Sequence, residues 1–145
     1  MLQLTPDDLN RYQRQLALPE ITIAAQKNLK NSKIAVIGAG GLGCASLPYL
    51  ASAGIGNITI FDHDTISRSN LHRQILYKDQ NIGAAKAEYA AQFCKNINPA
   101  IAIECSIEKV TLETNFSDFD IIIDGSDNFA TKTLLNEISI VQKIP

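Results

Sequence analysis

The sequence is poor in the residues that build covalent or metal-tied scaffolds. Its three cysteines, Cys44, Cys94 and Cys105, are odd in number and scattered. They fit neither a disulfide framework nor a zinc site within this chain, so a reducing, cytoplasmic setting is expected. Charge of one sign is also lacking: 13 basic side chains stand against 15 acidic ones, a net charge of −2. That argues against a general electrostatic grip on nucleic acid or an anionic membrane, so any phosphate site must be local. No run approaches the ~20 apolar residues that span a bilayer. The N-terminal stretch carries Asp7, Asp8, Arg11 and Arg14 with no apolar targeting segment. Repeats, low-complexity tracts and linker-like stretches are missing too. What remains is a chain of 145 residues, 46% apolar, with room for one domain and a real core.

Glycine is concentrated. Six of the eight glycines fall between residues 38 and 56, so one short region needs unusual backbone freedom. Around it the chain alternates strand and helix signals. Thr5-Pro6 begins a polar helix over 7–16, and helical spacing continues over 21–30. Lys33–Ile37 and Asn57–Phe61 read as strands, with a helix over about 42–53 between them, inside which Pro48 should produce a kink. Residues 62–82 are polar and irregular. Ala87, Ala90, Ala91, Cys94 and Ile97 form the apolar stripe of a helix over 83–97. Ile101–Ile107 alternates as a strand, which makes Cys105, like Cys94, a core thiol. Asp120–Asp124 is the fourth strand, and a last helix covers 128–143. This order predicts a Rossmann-like α/β fold: a mainly parallel sheet with strand order 3-2-1-4 and flanking helices. Ligands in such sheets bind at the carboxyl ends of the strands.

Gly38, Gly40 and Gly43 fit G-x-G-x-x-G directly between a strand and a helix, with Gly41 adding a further bare position. Glycines there allow a tight turn, approach of a phosphate to the backbone, and close packing of helix on strand. Asp62 ends the second strand, where a carboxylate would accept both ribose hydroxyls. A solvated strand-end acid is the other reading, but the 19-residue spacing from Gly43 favours the ribose acid. These two signals suit any adenosine ligand, NAD included. Lys86 lies in the first turn of the 83–97 helix, where the helix dipole disfavours a cation unless a bound phosphate answers it. A solvated lysine is the other reading. Asp127 follows the fourth strand and would hold Mg²⁺ between phosphates, or else cap the final helix. No Walker motif is present, so a P-loop enzyme is excluded.

Eight motifs in order resemble the ThiF/MoeB/HesA family, bacterial relatives of the ubiquitin-activating enzymes. They are Arg11–Gln15 (R-Y-x-R-Q), Gly38–Gly43 (G-x-G-G-L-G), Ser52–Asn57 (S-A-G-I-G-N) and Asp62–Asp64 (D-x-D). Ser69–Gln74 (S-N-L-x-R-Q), Ile82–Lys86 (I-G-x-x-K), Ile97–Pro99 (I-N-P) and Asp124–Asn128 (D-G-S-D-N) complete the series. The resemblance implies ATP–Mg²⁺-dependent adenylation of the C-terminal glycine of a ubiquitin-like sulfur carrier ending in Gly-Gly, as in thiamine or molybdopterin biosynthesis. It implies that Asp62 holds the ribose, that Asn70, Arg73 and Lys86 hold phosphates, that Asp127 holds Mg²⁺, and that Asp64 and Asn128 join the nucleotide site. Arg14 would reach the phosphates of the partner subunit in a homodimer. Arg14, Arg73, Lys86 and Asp127 are thus the catalytic set.

The resemblance divides the chain into an N-terminal helical arm, 1–32, and an ATP-binding domain, 33–145. Family members continue past this point with more strands and two C-x-x-C zinc pairs, so the sheet is expected to stop before a fifth strand and turnover by this chain alone to be poor. Lys132 stands where many relatives have arginine. Two other functions fit fewer of these residues or the same residues without turnover: an NAD-binding oxidoreductase domain, and a non-catalytic nucleotide-binding or dimerisation fragment.

Overall fold

Apolar β-branched runs form the strands of the computed structural model, which describes residues 2–145. Strand β1 is Lys33–Ile37, β2 is Asn57–Phe61, β3 is Ala102–Ser106 and β4 is Ile121–Asp124. All pairings are parallel and the order is β3-β2-β1-β4, as the right-handed crossover rule predicts. The bounds of β1 and β2 coincide with their apolar runs. β4 begins one residue later than expected because Asp120 closes the corner of the sheet. Its N–H donates to the Lys33 carbonyl (2.8 Å) and its Oδ2 accepts from the Lys33 N–H (2.7 Å).

Alternation along β1 builds two cores. Ile34 and Val36 face one layer with Leu47, Ala51, Ala87, Ala90 and Cys94. Ala35 and Ile37 face the other with Phe116, Leu135 and Ile138. Each fully buried large apolar side chain contributes roughly 1.5–3 kcal/mol. The helices supplying these layers are α4 (Gly41–Ala53), α5 (Lys86–Ile97) and α6 (Phe129–Gln142). Helix α4 continues through Pro48 to Ala53; Pro48 cannot donate the ladder bond that the Cys44 carbonyl would otherwise receive. Phe61, Phe116 and Phe119 form a ring cluster on the α6 side, with centroids 5.4–6.3 Å apart.

Three short helices precede β1: α1 (Pro6–Arg11), α2 (Gln13–Leu16) and α3 (Ile23–Asn31). Thr5 and Asp8 form a reciprocal capping box with Pro6 in the first turn, as the Thr5-Pro6 signal predicts. The expected single helix over 7–16 is broken at Tyr12. That ring is buried, and its hydroxyl accepts a hydrogen bond from Asn98 Nδ2 (2.9 Å). Docking the tyrosine on the body of the fold costs the helix its continuity.

Cys94 is buried as expected, but Cys105 is exposed. Strand β3 is a sheet edge, and cover along its alternating stripe fades from buried Ile101 to exposed Ile107. The period identified the strand correctly and overstated its burial. Helix α5 also starts three residues later than expected. Gly83 has φ 90°, and Ala85 is extended because it bridges to Thr65. Within β4, the Ile122 N–H donates to the Pro145 carbonyl (2.9 Å).

Candidate functional site

Strands β1, β2 and β4 all deliver loops to one end of the sheet, and a cavity of about 770 Å³ opens there. The loop after β1 is held close to its neighbours. Gly38 has φ 95°, and its N–H donates to the Phe61 carbonyl (2.7 Å). The Gly125 N–H donates to the Ile37 carbonyl (2.8 Å), and a Cβ on Gly125 would meet the Gly38 carbonyl oxygen at 2.8 Å. The β1 and β4 loops therefore interlock at the switch point of the sheet, and both crossing positions must be bare.

Gly40 and Gly41 differ from this. A Cβ there would meet only Gln74 Nε2 (3.6 Å) or Arg73 Cδ (3.9 Å). Glycine at these positions leaves open a cradle that a methyl group would fill. Helix α4 starts at Gly41 without a side-chain cap, so its first N–H groups and positive dipole end are left to a ligand. Such a cradle suits phosphate chemistry.

Ala39 is fixed from both sides. Its N–H donates to Asp62 Oδ2 (2.7 Å), and its carbonyl accepts from Tyr77 Oη (2.7 Å) and Cys44 Sγ (3.3 Å). Burial pushes the Tyr77 phenol and the Cys44 thiol upward, so both stay protonated as donors. Tyr77→Phe is expected to cost about 1 kcal/mol of stability, read as a lower denaturant midpoint; an unchanged midpoint would exclude a holding role. Asp62 also accepts the Asp64 N–H at Oδ1 (2.8 Å). The ribose candidate is thus a fastener of the glycine loop as well as a cavity wall.

Lys86 departs from the reading of a solvated lysine. It is 5% exposed, and its Nζ donates to Asp64 Oδ2 at 3.0 Å. The helix-start conflict is answered in part by this carboxylate, which is 59% exposed at its side chain. An ammonium has three donors and only one hydrogen bond to another described residue, so donor capacity remains for an anion. The 3₁₀ turn Arg68–Asn70 presents Asn70 beside Arg73, with Arg73 Nη2 donating to Asn70 Oδ1 (3.0 Å).

At the opposite wall, Asn128 caps α6 by accepting the Thr131 N–H (2.9 Å). That settles the cap question at Asp127, which is exposed beside it and does not perform it. Burial raises the Asp124 carboxyl, but hydrogen bonds from Ser126 and Lys132 outweigh that and hold it below its ordinary range. Asp124 is therefore committed to the loop, and Asp127 is left facing the cavity. Among the described residues, Asp62, His63 and Asp64 also bring ligand atoms within 4.8 Å of one another. Their charge is already answered by Lys86 and backbone N–H groups.

Gly38, Gly40, Gly41, Asp62, Asp64, Asn70, Arg73, Lys86, Asp127 and Asn128 all line the one cavity. Gly43 lies behind it, where a Cβ would collide with the Gly38 carbonyl. Arg14 is exposed on α2 and lies outside the cavity of its own chain. The cavity also takes in Gln74, Ser126, Glu108 and Lys109, to which the sequence reading gave no role. The last two sit on the loop after β3, which the strand-end rule could have included. The cavity's apolar lining includes Leu42, Phe61, Val110 and Leu134.

Comparison with known proteins agrees with this geometry. A model described as the ThiF family matches residues 12–145. The chain is 39% identical over 148 residues to the molybdopterin-synthase adenylyltransferase of Escherichia coli (strain K12), covering 100% of this chain and 59% of that relative. It is 37% identical over 147 residues to the SAMP-activating enzyme E1 of Haloferax volcanii, covering 99% and 54% respectively. The chain therefore spans little more than half the length of these two relatives. Among solved structures, E. coli tRNA N6-threonylcarbamoyladenosine dehydratase in complex with ATP is similar with a TM-score of 0.87 at 28% identity, covering 99% of this chain and 60% of that one.

Proposed function

This chain belongs to the ThiF family, and we propose that it carries the nucleotide site of an ATP-dependent adenylyltransferase acting on the C-terminal glycine of a ubiquitin-like sulfur-carrier protein. The observation that carries the reading is the convergence of an open glycine cradle, an acid at the end of β2, two cations and an uncommitted acid on one cavity. A dinucleotide site would account for the glycines and Asp62 but leave Asn70, Arg73, Lys86 and Asp127 without a task. The names of the relatives support a protein carrier and an adenylyl transfer.

The chemistry needs no general base. A C-terminal carboxyl has an ordinary pKa of about 3.3–3.7 and is ionised at neutral pH. One carboxylate oxygen attacks the α-phosphorus, the bond to the bridging oxygen breaks, and pyrophosphate leaves with its electron pair. The residues have to position the reactants and relieve charge. Backbone N–H groups at the start of α4 seat a phosphate, Asp62 orients the ribose, and the apolar lining covers the base. Asn70 fixes Arg73, and Arg73 and Lys86 meet the charge on the departing group. Asp127 would hold Mg²⁺, which neutralises phosphate charge when bound. Arg14 is assigned to the phosphates of a partner subunit in a homodimer, where a planar, permanently charged fork suits the task.

Carrier-dependent exchange of pyrophosphate into ATP tests the acceptor half of this proposal. Exchange by the protein that bears this site is expected to vanish when the carrier's terminal glycine is removed. Exchange indifferent to that glycine would contradict a C-terminal acceptor.

A further inference from the structure

Among the described residues, Gln74 carries the one enclosed side-chain polar atom that the fold leaves without a partner. Gln74 is 4% exposed, and its Oε1 is enclosed without a hydrogen-bond partner. The other buried polar side chains are served. Gln26 donates to the Ala53 carbonyl, Asn98 to the Ala51 carbonyl, Asn81 accepts from the Lys78 N–H, and Lys86 pairs with Asp64. An enclosed amide oxygen left unpaired costs roughly 1–3 kcal/mol, so packing alone does not account for glutamine here.

Its position gives a reason. The Gln74 backbone is fixed in its turn, with its N–H donating to the Asn70 carbonyl (3.0 Å) and its carbonyl accepting from the Tyr77 N–H (3.2 Å). That holds the side chain against the glycine loop. Nε2 stands 3.6 Å from the point a Cβ on Gly40 would occupy, while Arg73 Cδ stands 3.9 Å from the same point on Gly41. Arg73 and Gln74 therefore wall the cradle side by side, one with a charge and one with a neutral donor. The residue lines the cavity, and Nε2 makes no hydrogen bond with another described residue.

We infer that Gln74 is a ligand-binding residue whose Nε2 donates to a phosphate oxygen seated over Gly40 and Gly41. The inference rests on the nucleotide reading above and deepens it. A neutral amide orients that oxygen without adding a third cation beside Arg73 and Lys86. The enclosed atom without a partner is the acceptor Oε1, which cannot serve a phosphate oxygen; its enclosure is the stability cost of turning the donor Nε2 toward the cradle.

The test uses Gln74→Met, which keeps the length and volume of the side chain and removes both polar atoms. Replacing an unpaired buried amide by an apolar group of like shape is neutral or stabilising. The melting temperature is expected to stay level or rise, while ATP and AMP bind about 3- to 10-fold more weakly, the scale of one neutral hydrogen bond. Adenosine, which has no phosphate, is expected to bind both proteins equally. Gln74→Glu is expected to bind ATP more weakly still, because a carboxylate there repels phosphate. Equal ATP affinity in the parent and Gln74→Met overturns the inference alone. Equal losses for ATP and adenosine also overturn it, by pointing to a merely structural role. Failure of the parent chain to bind ATP overturns the nucleotide reading itself, and this inference with it.

Discussion

Lys86→Met is expected to weaken ATP binding by about 10- to 150-fold, the equivalent of one charge-assisted hydrogen bond worth ~1.5–3 kcal/mol. The stability of the fold is expected to change little. The ammonium is buried at the start of α5, with its one carboxylate partner, Asp64, largely in water. Removing Lys86 therefore strands no buried charge, and methionine retains an apolar stem in the same space. Titration calorimetry with ATP–Mg²⁺, paired with a denaturant melt, separates the two effects. A large stability loss with unchanged ATP affinity would make Lys86 a structural residue that happens to line a cavity.

Gly43→Ala should strike the opposite property. Its Cβ would be driven into the Gly38 carbonyl, a backbone atom that itself abuts Gly125. Neither loop has room to yield, so the expected cost is at least about 3 kcal/mol, at the upper end for overpacking a close contact. Gly41→Ala is the control, because a Cβ there finds nothing nearer than Arg73 Cδ at 3.9 Å. That variant is expected to fold normally and to bind ATP poorly, since the methyl fills the cradle. A chemical melt on Gly43→Ala and a binding titration on Gly41→Ala check the pair. Normal stability in the first would mean that α4 does not press on the β1 loop as described.

Local chemistry made much of this legible. Strands β1 and β2 are apolar runs between turn residues, so their bounds follow from composition. Thr5-Pro6 opens α1 as its cap chemistry demands. The glycine spacing located the cradle before any long-range contact was known. What the sequence concealed depends on distant partners. Tyr12 breaks the first helix because it docks beside Asn98. Lys86 pairs with Asp64, 22 residues earlier, a partner its place near a helix start does not reveal. Cys105 is exposed because β3 became an edge, which alternation along one strand does not reveal. Gln74 ends the S-N-L-x-R-Q motif, but an unpaired amide oxygen is visible only once its surroundings are packed. The cap on α6 went to Asn128 rather than its acidic neighbour, a choice between adjacent side chains that spacing alone leaves open.

The central claim is that this cavity is built for ATP rather than for a dinucleotide. Competition between ATP–Mg²⁺ and NAD for the parent protein, followed by titration calorimetry, tests it most directly. The account predicts that ATP–Mg²⁺ binds with an affinity that falls in the Lys86→Met variant, and that excess NAD displaces it poorly. Tight NAD binding that displaces ATP and is indifferent to Lys86 would contradict it.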